Sequence, residues 1–200
     1  LDPTPGQWQP MPKQDKRTVS KDRNEITTWL SYPDPSRNRT GFNPIDYPDL
    51  NLSYQVIVKG EGKNIHIVVD LDKAVPDAFI GRVGFNLELY PANLFGKSWY
   101  LDEKSGIFPR QPNGPDVKDA NGEIQPVPLA TGKRLSVAPE IDAQRIVIES
   151  NKSELQLLDG RKKHNNGWFI VRSLVPANTA AHAIDWIITE MKRDGLQNVR

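Results

Sequence analysis

From Leu52 onward apolar and polar residues alternate with period two. Leu52, Tyr54, Val56 and Val58 share one face, and Ser53, Gln55 and Ile57 share the other. After a break at Gly60-Glu61-Gly62 the alternation resumes, with Ile65, Ile67, Val69 and Leu71 set against His66, Val68 and Asp70. Successive strand side chains point to opposite faces, so the two runs read as an antiparallel hairpin. A third strand is expected over residues 79–90, where Val83, Phe85, Leu87 and Leu89 face one way and Arg82, Gly84, Asn86, Glu88 and Tyr90 the other. Shorter strands are expected at 98–102, 134–138, 145–150, 154–158 and 167–175, divided by Gly, Pro, Asn and Asp turns. About eight or nine strands of this kind make a mainly β protein, most economically an antiparallel, jelly-roll-like sandwich over residues 51–189.

Two segments break the alternation. Residues 1–50 hold 8 of the 17 prolines and scatter their apolar residues without period. Trp8, Trp29, Tyr32, Phe42 and Tyr47 are too many large rings for a disordered tail, which predicts an extended, Pro-rich arm packed on the sheet. The helix candidate within it, residues 21–30, stops at Tyr32-Pro33, because a residue before proline avoids the helical region. At the other end, Asn178-Thr179 can cap a helix striped by Ala180, Ala183, Ile184, Ile187, Ile188 and Met191. Residues 182–189 also alternate as a strand through Ile184, Trp186 and Ile188, expected to pair with 167–175, and both readings stay open. Residues 190–200 read as a linker or the start of a following domain. The stretch 109–128, with five prolines, reads as a long surface loop.

Charge narrows the partners. There are 26 Lys and Arg against 25 Asp and Glu, a net charge of +1, too weak a field to grip phosphate backbones. No run of 18 apolar residues is present to form a membrane-spanning helix. These features argue against nucleic acid and against a membrane-spanning segment. The absence of Cys removes disulfides, thiolate metal sites and thiol nucleophiles. The chain begins at Leu1 without a basic and apolar leader, as expected of a mature or trimmed sequence. Asn-x-Ser/Thr triplets at Asn38, Asn51 and Asn151 decide nothing.

Most chemical motifs fail on inspection. Gly96-Lys97-Ser98 lacks the leading glycine of a phosphate loop and runs into Trp99-Tyr100-Leu101, a strand. His66, His164 and His182 are far apart in the chain and lack the i, i+4 spacing of a zinc helix. No Gly-x-Ser-x-Gly elbow occurs. Glu88, Asp102 and Glu103 are candidates for the paired carboxylates of glycoside cleavage. Asp70-Leu71-Asp72 and Asp116 through Glu123 offer oxygens that suit calcium, though neither matches a calcium loop, and no other metal or cofactor is expected. Arg161-Lys162-Lys163-His164 reads as the solvated tip of a hairpin. The aromatic set carries more. Tyr90, Trp99, Tyr100 and Phe108 interleave with Glu88, Asn93, Lys97 and Arg110. Rings that stack on the C–H faces of sugars, beside polar groups that bind hydroxyls, suit a carbohydrate surface. An aromatic core cluster has the same composition.

The segments FIGRVGFNLELYP (79–91), LFGKSWYLDEKSGIFPRQPNGP (94–115) and HNNGWFIVRSLVPAN (164–178) resemble the amino-terminal β-sandwich module of secreted bacterial polysaccharide-degrading enzymes, like the multidomain family 9 glycoside hydrolases. The resemblance covers residues 45–190 and implies a noncatalytic accessory domain, secreted, periplasmic or on the outer cell surface. Such a domain binds polysaccharide or oligosaccharide, or buttresses an adjacent catalytic domain of the same polypeptide. No catalytic residue transfers to this chain. Glu88, Tyr90, Lys97, Trp99, Tyr100 and Arg110 are the expected carbohydrate-binding residues. The alternatives are a small self-sufficient hydrolase or lyase using paired carboxylates, and a purely structural interaction domain with an exposed apolar patch.

Overall fold

The structure, a computed structural model, describes residues 12–34, 51–114, 116–118, 120, 122, 124–125, 127–161 and 168–190. In chain order its strands are β1 (Lys13–Val19), β2 (Glu25–Tyr32), β3 (Leu52–Glu61), β4 (Asn64–Leu71), β5 (Gly84–Leu89), β6 (Ser98–Leu101) and β7 (Lys104–Ile107). There follow β8 (Val117–Lys118), β9 (Ile124–Gln125), β10 (Ala130–Gly132), β11 (Arg134–Val137), β12 (Ile146–Ser150), β13 (Leu155–Asp159), β14 (Phe169–Leu174) and β15 (Ile184–Glu190). One nine-stranded sheet has the order β1-β2-β3-β4-β15-β12-β11-β6-β7, and a four-stranded sheet has the order β10-β13-β14-β5. Every pairing is antiparallel, and short 3₁₀ turns stand at Asp77–Phe79 and Pro91–Asn93.

The mainly β, antiparallel, sandwich-like fold expected from the alternation is present. One face of each sheet is apolar, and the two apolar faces meet. Leu101, Leu135 and Ile148 from the large sheet and Leu155, Leu157, Phe169 and Val171 from the small one are fully buried. Each such side chain contributes roughly 1.5–3 kcal/mol of hydrophobic stabilisation. Phe85 of β5 meets Trp186 of β15 edge-on, centroids 5.0 Å apart, and Phe108 lies on Phe169 at 4.8 Å. Trp186 is wholly buried, and its indole N–H donates to Ser173 Oγ on β14 at 3.0 Å, which satisfies a polar group in the middle of the core.

Several expectations are corrected. Residues 21–30 are not helical: after a turn at Ser20–Asn24 they enter β2, and Ile26, Thr27, Thr28 and Trp29 suit a strand paired on both sides. Residues 13–32 therefore extend the sheet as a hairpin rather than lying across it as an arm, and the rest of 1–50 falls outside the described residues apart from Pro12, Pro33 and Asp34. The segment open to two readings is the strand β15. Its neighbours are β4 and β12 in the large sheet, not β14 as expected, so the 175–183 connection crosses from one sheet to the other. The third strand begins at Gly84, later than expected, because the 3₁₀ turn at Asp77–Phe79 and the turn after it occupy the segment before it. The 109–128 loop carries the small β8–β9 ribbon. Glu190 is the last residue of β15, and residues 191–200 lie outside the described set.

Candidate functional site

β5 is an edge strand of the small sheet, with Phe85, Leu87 and Leu89 turned to the core and Gly84, Asn86, Glu88 and Tyr90 exposed on the opposite side. Antiparallel register sets Leu89 opposite Phe169, Glu88 opposite Ile170 and Asn86 opposite Arg172. The next position along brings Tyr90 to Trp168, ring centroids 5.6 Å apart and tilted by 58°. Tyr90 is 58% exposed. The outer face of the small sheet thus has an aromatic pair at one end. Glu88 stands beside the buried Ile170 and Leu158, and a polar row, Thr131, Gln156, Arg172 and Asn86, crosses all four strands. Arg172 Nε and Nη2 both donate to Gln156 Oε1, at 3.0 and 2.9 Å, which ties the guanidinium to the neighbouring strand. Rings and hydroxyl-binding groups therefore share one surface.

Of the six expected residues, only Glu88 and Tyr90 are shown here on this surface. Trp99 is 6% exposed and belongs to the core: it is paired with Gly106 on β7, and a Cβ at Gly106 would come within 2.4 Å of its ring. Tyr100, next in the strand, points the other way, onto the outer face of the nine-stranded sheet, opposite Ser105 and Ser136. Those two rings cannot join Tyr90, because strand alternation and the sandwich put them on different surfaces. Lys97 Nζ donates to Gln144 Oε1 in the loop before β12. The Arg110 side chain is exposed, and its carbonyl accepts from Arg161 Nη1 at 2.8 Å. Phe108 is fully buried.

Glu88 and Asp102 belong to different sheets. Asp102, in the β6–β7 turn at φ 51°, accepts from the backbone N–H groups of Lys133 (2.8 Å) and Arg134 (2.9 Å), a turn clamp on the side of the molecule that β6 occupies. Glu88 stands on the outer face of the other sheet. Asp70 and Asp72, offered as calcium ligands, are engaged by backbone donors: His182 N–H to Asp70 at 2.6 Å and Ser53 N–H to Asp72 at 3.1 Å. Asp116 to Glu123 is only partly within the described residues, and among those no three His, Asp or Glu side chains are placed to share a metal. Arg161 is not a solvated tip. It binds Asp159 in bidentate fashion (2.7 and 2.6 Å) and the carbonyl of Pro109 (2.7 Å), with its guanidinium over Phe169 (4.7 Å) and Phe95 (5.2 Å). Lys162, Lys163 and His164 lie outside the described residues.

Two groups escaped the sequence reading. Trp168 sits just before β14, and only the β5–β14 register reveals it as the neighbour of Tyr90. His66 and His182, 116 positions apart in the chain, meet on one carboxylate: Asp185 Oδ1 accepts from His66 Nε2 at 2.8 Å and from Asn151 Nδ2 at 2.9 Å, and Oδ2 lies 3.5 Å from His182 Nδ1. Burial works to raise the pKa of Asp185, but the hydrogen bonds of His66, Asn151 and His182 outweigh it and bring the value below the ordinary 3.8. No local motif could have signalled this cluster.

No family model matches the sequence, and no curated protein aligns with it significantly. What the fold and the surface define is a class: an antiparallel β-sandwich with an aromatic and polar patch on the outer face of its smaller sheet.

Proposed function

We propose that this chain is a noncatalytic sandwich domain that binds glycan on the outer face of its four-stranded sheet and accompanies a hydrolase domain in a secreted bacterial polypeptide. The observation that carries this reading is the Tyr90–Trp168 pair beside Glu88, Asn86 and Arg172. An exposed ring set against a second ring offers a stacking platform for a sugar, and the carboxylate, amide and guanidinium supply acceptors and donors for its hydroxyls. The engagement of Asp102 by the backbone weighs against the carboxylate-pair hydrolase. Affinity gel electrophoresis across a panel of plant and algal polysaccharides tests the proposal, with product analysis on the same samples. Tyr90→Ala is expected to lower retention at least tenfold while thermal unfolding stays within a few degrees. Equal retention of wild type and variant, or the release of products by the purified chain, sinks the reading.

A further inference from the structure

On the outer face of the narrow sheet, exposure is confined to one strand. Gly84, Asn86, Glu88 and Tyr90, on and just beyond β5, are exposed, whereas Thr131, Gln156 and Arg172 on the strands behind it are half-buried. Straight across from Glu88, Ile170 is 8% exposed and Leu158 is 2% exposed. The accessible surface is therefore a strip one strand wide. A ligand crossing it at right angles would pass from Glu88 onto buried aliphatic side chains, which offer no partner to a hydroxyl.

The rings at the end of the strip are not coplanar. Tyr90 and Trp168 are tilted by 58° with centroids 5.6 Å apart, so one flat surface cannot lie against both. Tyr90 is the ring open to a sugar, and the half-buried Trp168 supports it from behind. From Tyr90 the strip runs along β5 to Glu88 and Asn86, which strand alternation puts on the same face, a distance of about 13 Å over four residues. Among the described residues neither the Glu88 carboxylate nor the Asn86 amide has a hydrogen-bond partner. The carboxylate can accept from hydroxyls, and the amide can both accept and donate. Beyond Asn86 the row ends at Gly84, which has no side chain to continue it.

We propose that this strip takes a single dissolved glycan chain laid lengthwise along β5, one sugar stacked on Tyr90 and the next units held by Glu88 and Asn86, and not the face of a crystalline polysaccharide. The inference rests on the glycan-binding reading above and adds the physical form of the ligand and its direction. A crystal face is a plane of parallel chains, and it needs coplanar rings spread over several strands. A single chain needs one ring and a line of polar groups, and its edges present hydroxyls to both side chains. A strip of about 13 Å covers about three or four sugar units.

The test uses the full chain, titrated calorimetrically with cello-, xylo-, manno- and laminari-oligosaccharides of two to six units and co-sedimented with microcrystalline cellulose and chitin. In the series that binds, affinity is expected to rise about tenfold from two units to four, as two further hydrogen-bonding positions fill, and then to level off. The crystalline substrates are expected to deplete none of the chain. Glu88→Gln and Asn86→Ala should each weaken the four-unit ligand several-fold while leaving the two-unit ligand less affected, whereas Tyr90→Ala weakens every length. Both polar variants alter exposed side chains, so they keep the test decisive should Tyr90→Ala fail to fold. Retention on a crystalline substrate that Tyr90→Ala abolishes, with no uptake of oligosaccharides, overturns this inference and leaves the glycan-binding reading standing. Affinity still climbing from four units to six, or binding indifferent to Glu88→Gln and Asn86→Ala, also overturns it. No binding to any soluble or crystalline substrate overturns both.

Discussion

Asp185 shows how a single buried group ties parts of the chain together. Its carboxylate is 12% exposed and serves β4 through His66, the 151–153 loop through Asn151, and the inter-sheet crossing through His182. Because its folded pKa lies below the ordinary value, the unfolded chain takes up the proton first as acid is added. The stabilisation is therefore full well above pH 3.8 and is lost as pH falls through the lower folded value. Asp185→Asn should flatten the acid limb of a plot of urea midpoint against pH. At neutral pH the same variant is expected to cost about 1–3 kcal/mol, since donors are left without a charged acceptor. Tyr54 acts at the other extreme. Burial, and secondly Tyr32, push its hydroxyl up to about 12 from 10.0. The folded chain resists ionising it, so stability present below pH 10 declines as pH rises towards 12. Tyr54→Phe should make the base limb of the same plot shallower, and an unchanged slope would contradict the assignment.

At the scale of the element, pairing decides what local pattern leaves open. Residues 184–190 carry an apolar stripe at helical spacing and a period-two alternation at once. A strand results because β4 and β12 stand on either side with unsatisfied backbone groups, and because Ile184 and Trp186 then point together into the core. Residues 25–32 follow the same rule between β1 and β3. Trp99 illustrates the converse. Its aromatic and polar neighbours in sequence suggest a binding residue, but β6 turns it inward, and Gly106 opposite leaves room for the ring. Gly106→Ala is expected to destabilise the domain by about 1–3 kcal/mol, read as a lowered unfolding midpoint, because core rings cannot shift freely. If Gly106→Ala unfolds like wild type, the ring is not held where this packing puts it.

On the scale of the whole molecule, two sheets of unequal width give three distinct surfaces. The outer face of the narrow sheet presents Tyr90, Trp168, Glu88 and Arg172; the outer face of the wide sheet presents Tyr100; and the part of the wide sheet that continues past β15 exposes Val19 and Ile65. Tyr90→Ala and Tyr100→Ala therefore separate in a glycan retention assay: the first loses retention, and the second keeps it. Equal loss in both would place the sugar elsewhere. Val19→Lys should leave glycan retention unchanged, because strand alternation turns this side chain away from the outer face of either sheet.

The sequence by itself determined the mainly β character, the β3–β4 hairpin, the face on which each residue of β5 falls, and the sandwich-like class. These follow from side-chain alternation over a few residues, and that period survives whatever the neighbours are. Only the tertiary structure decided which rings belong to the core, that β15 joins the wide sheet, that Tyr90 meets Trp168, and that His66 and His182 share Asp185. Each of those depends on strand order and register between segments far apart in the chain. Such pairings are selected by the burial of the whole core, a quantity no local window contains.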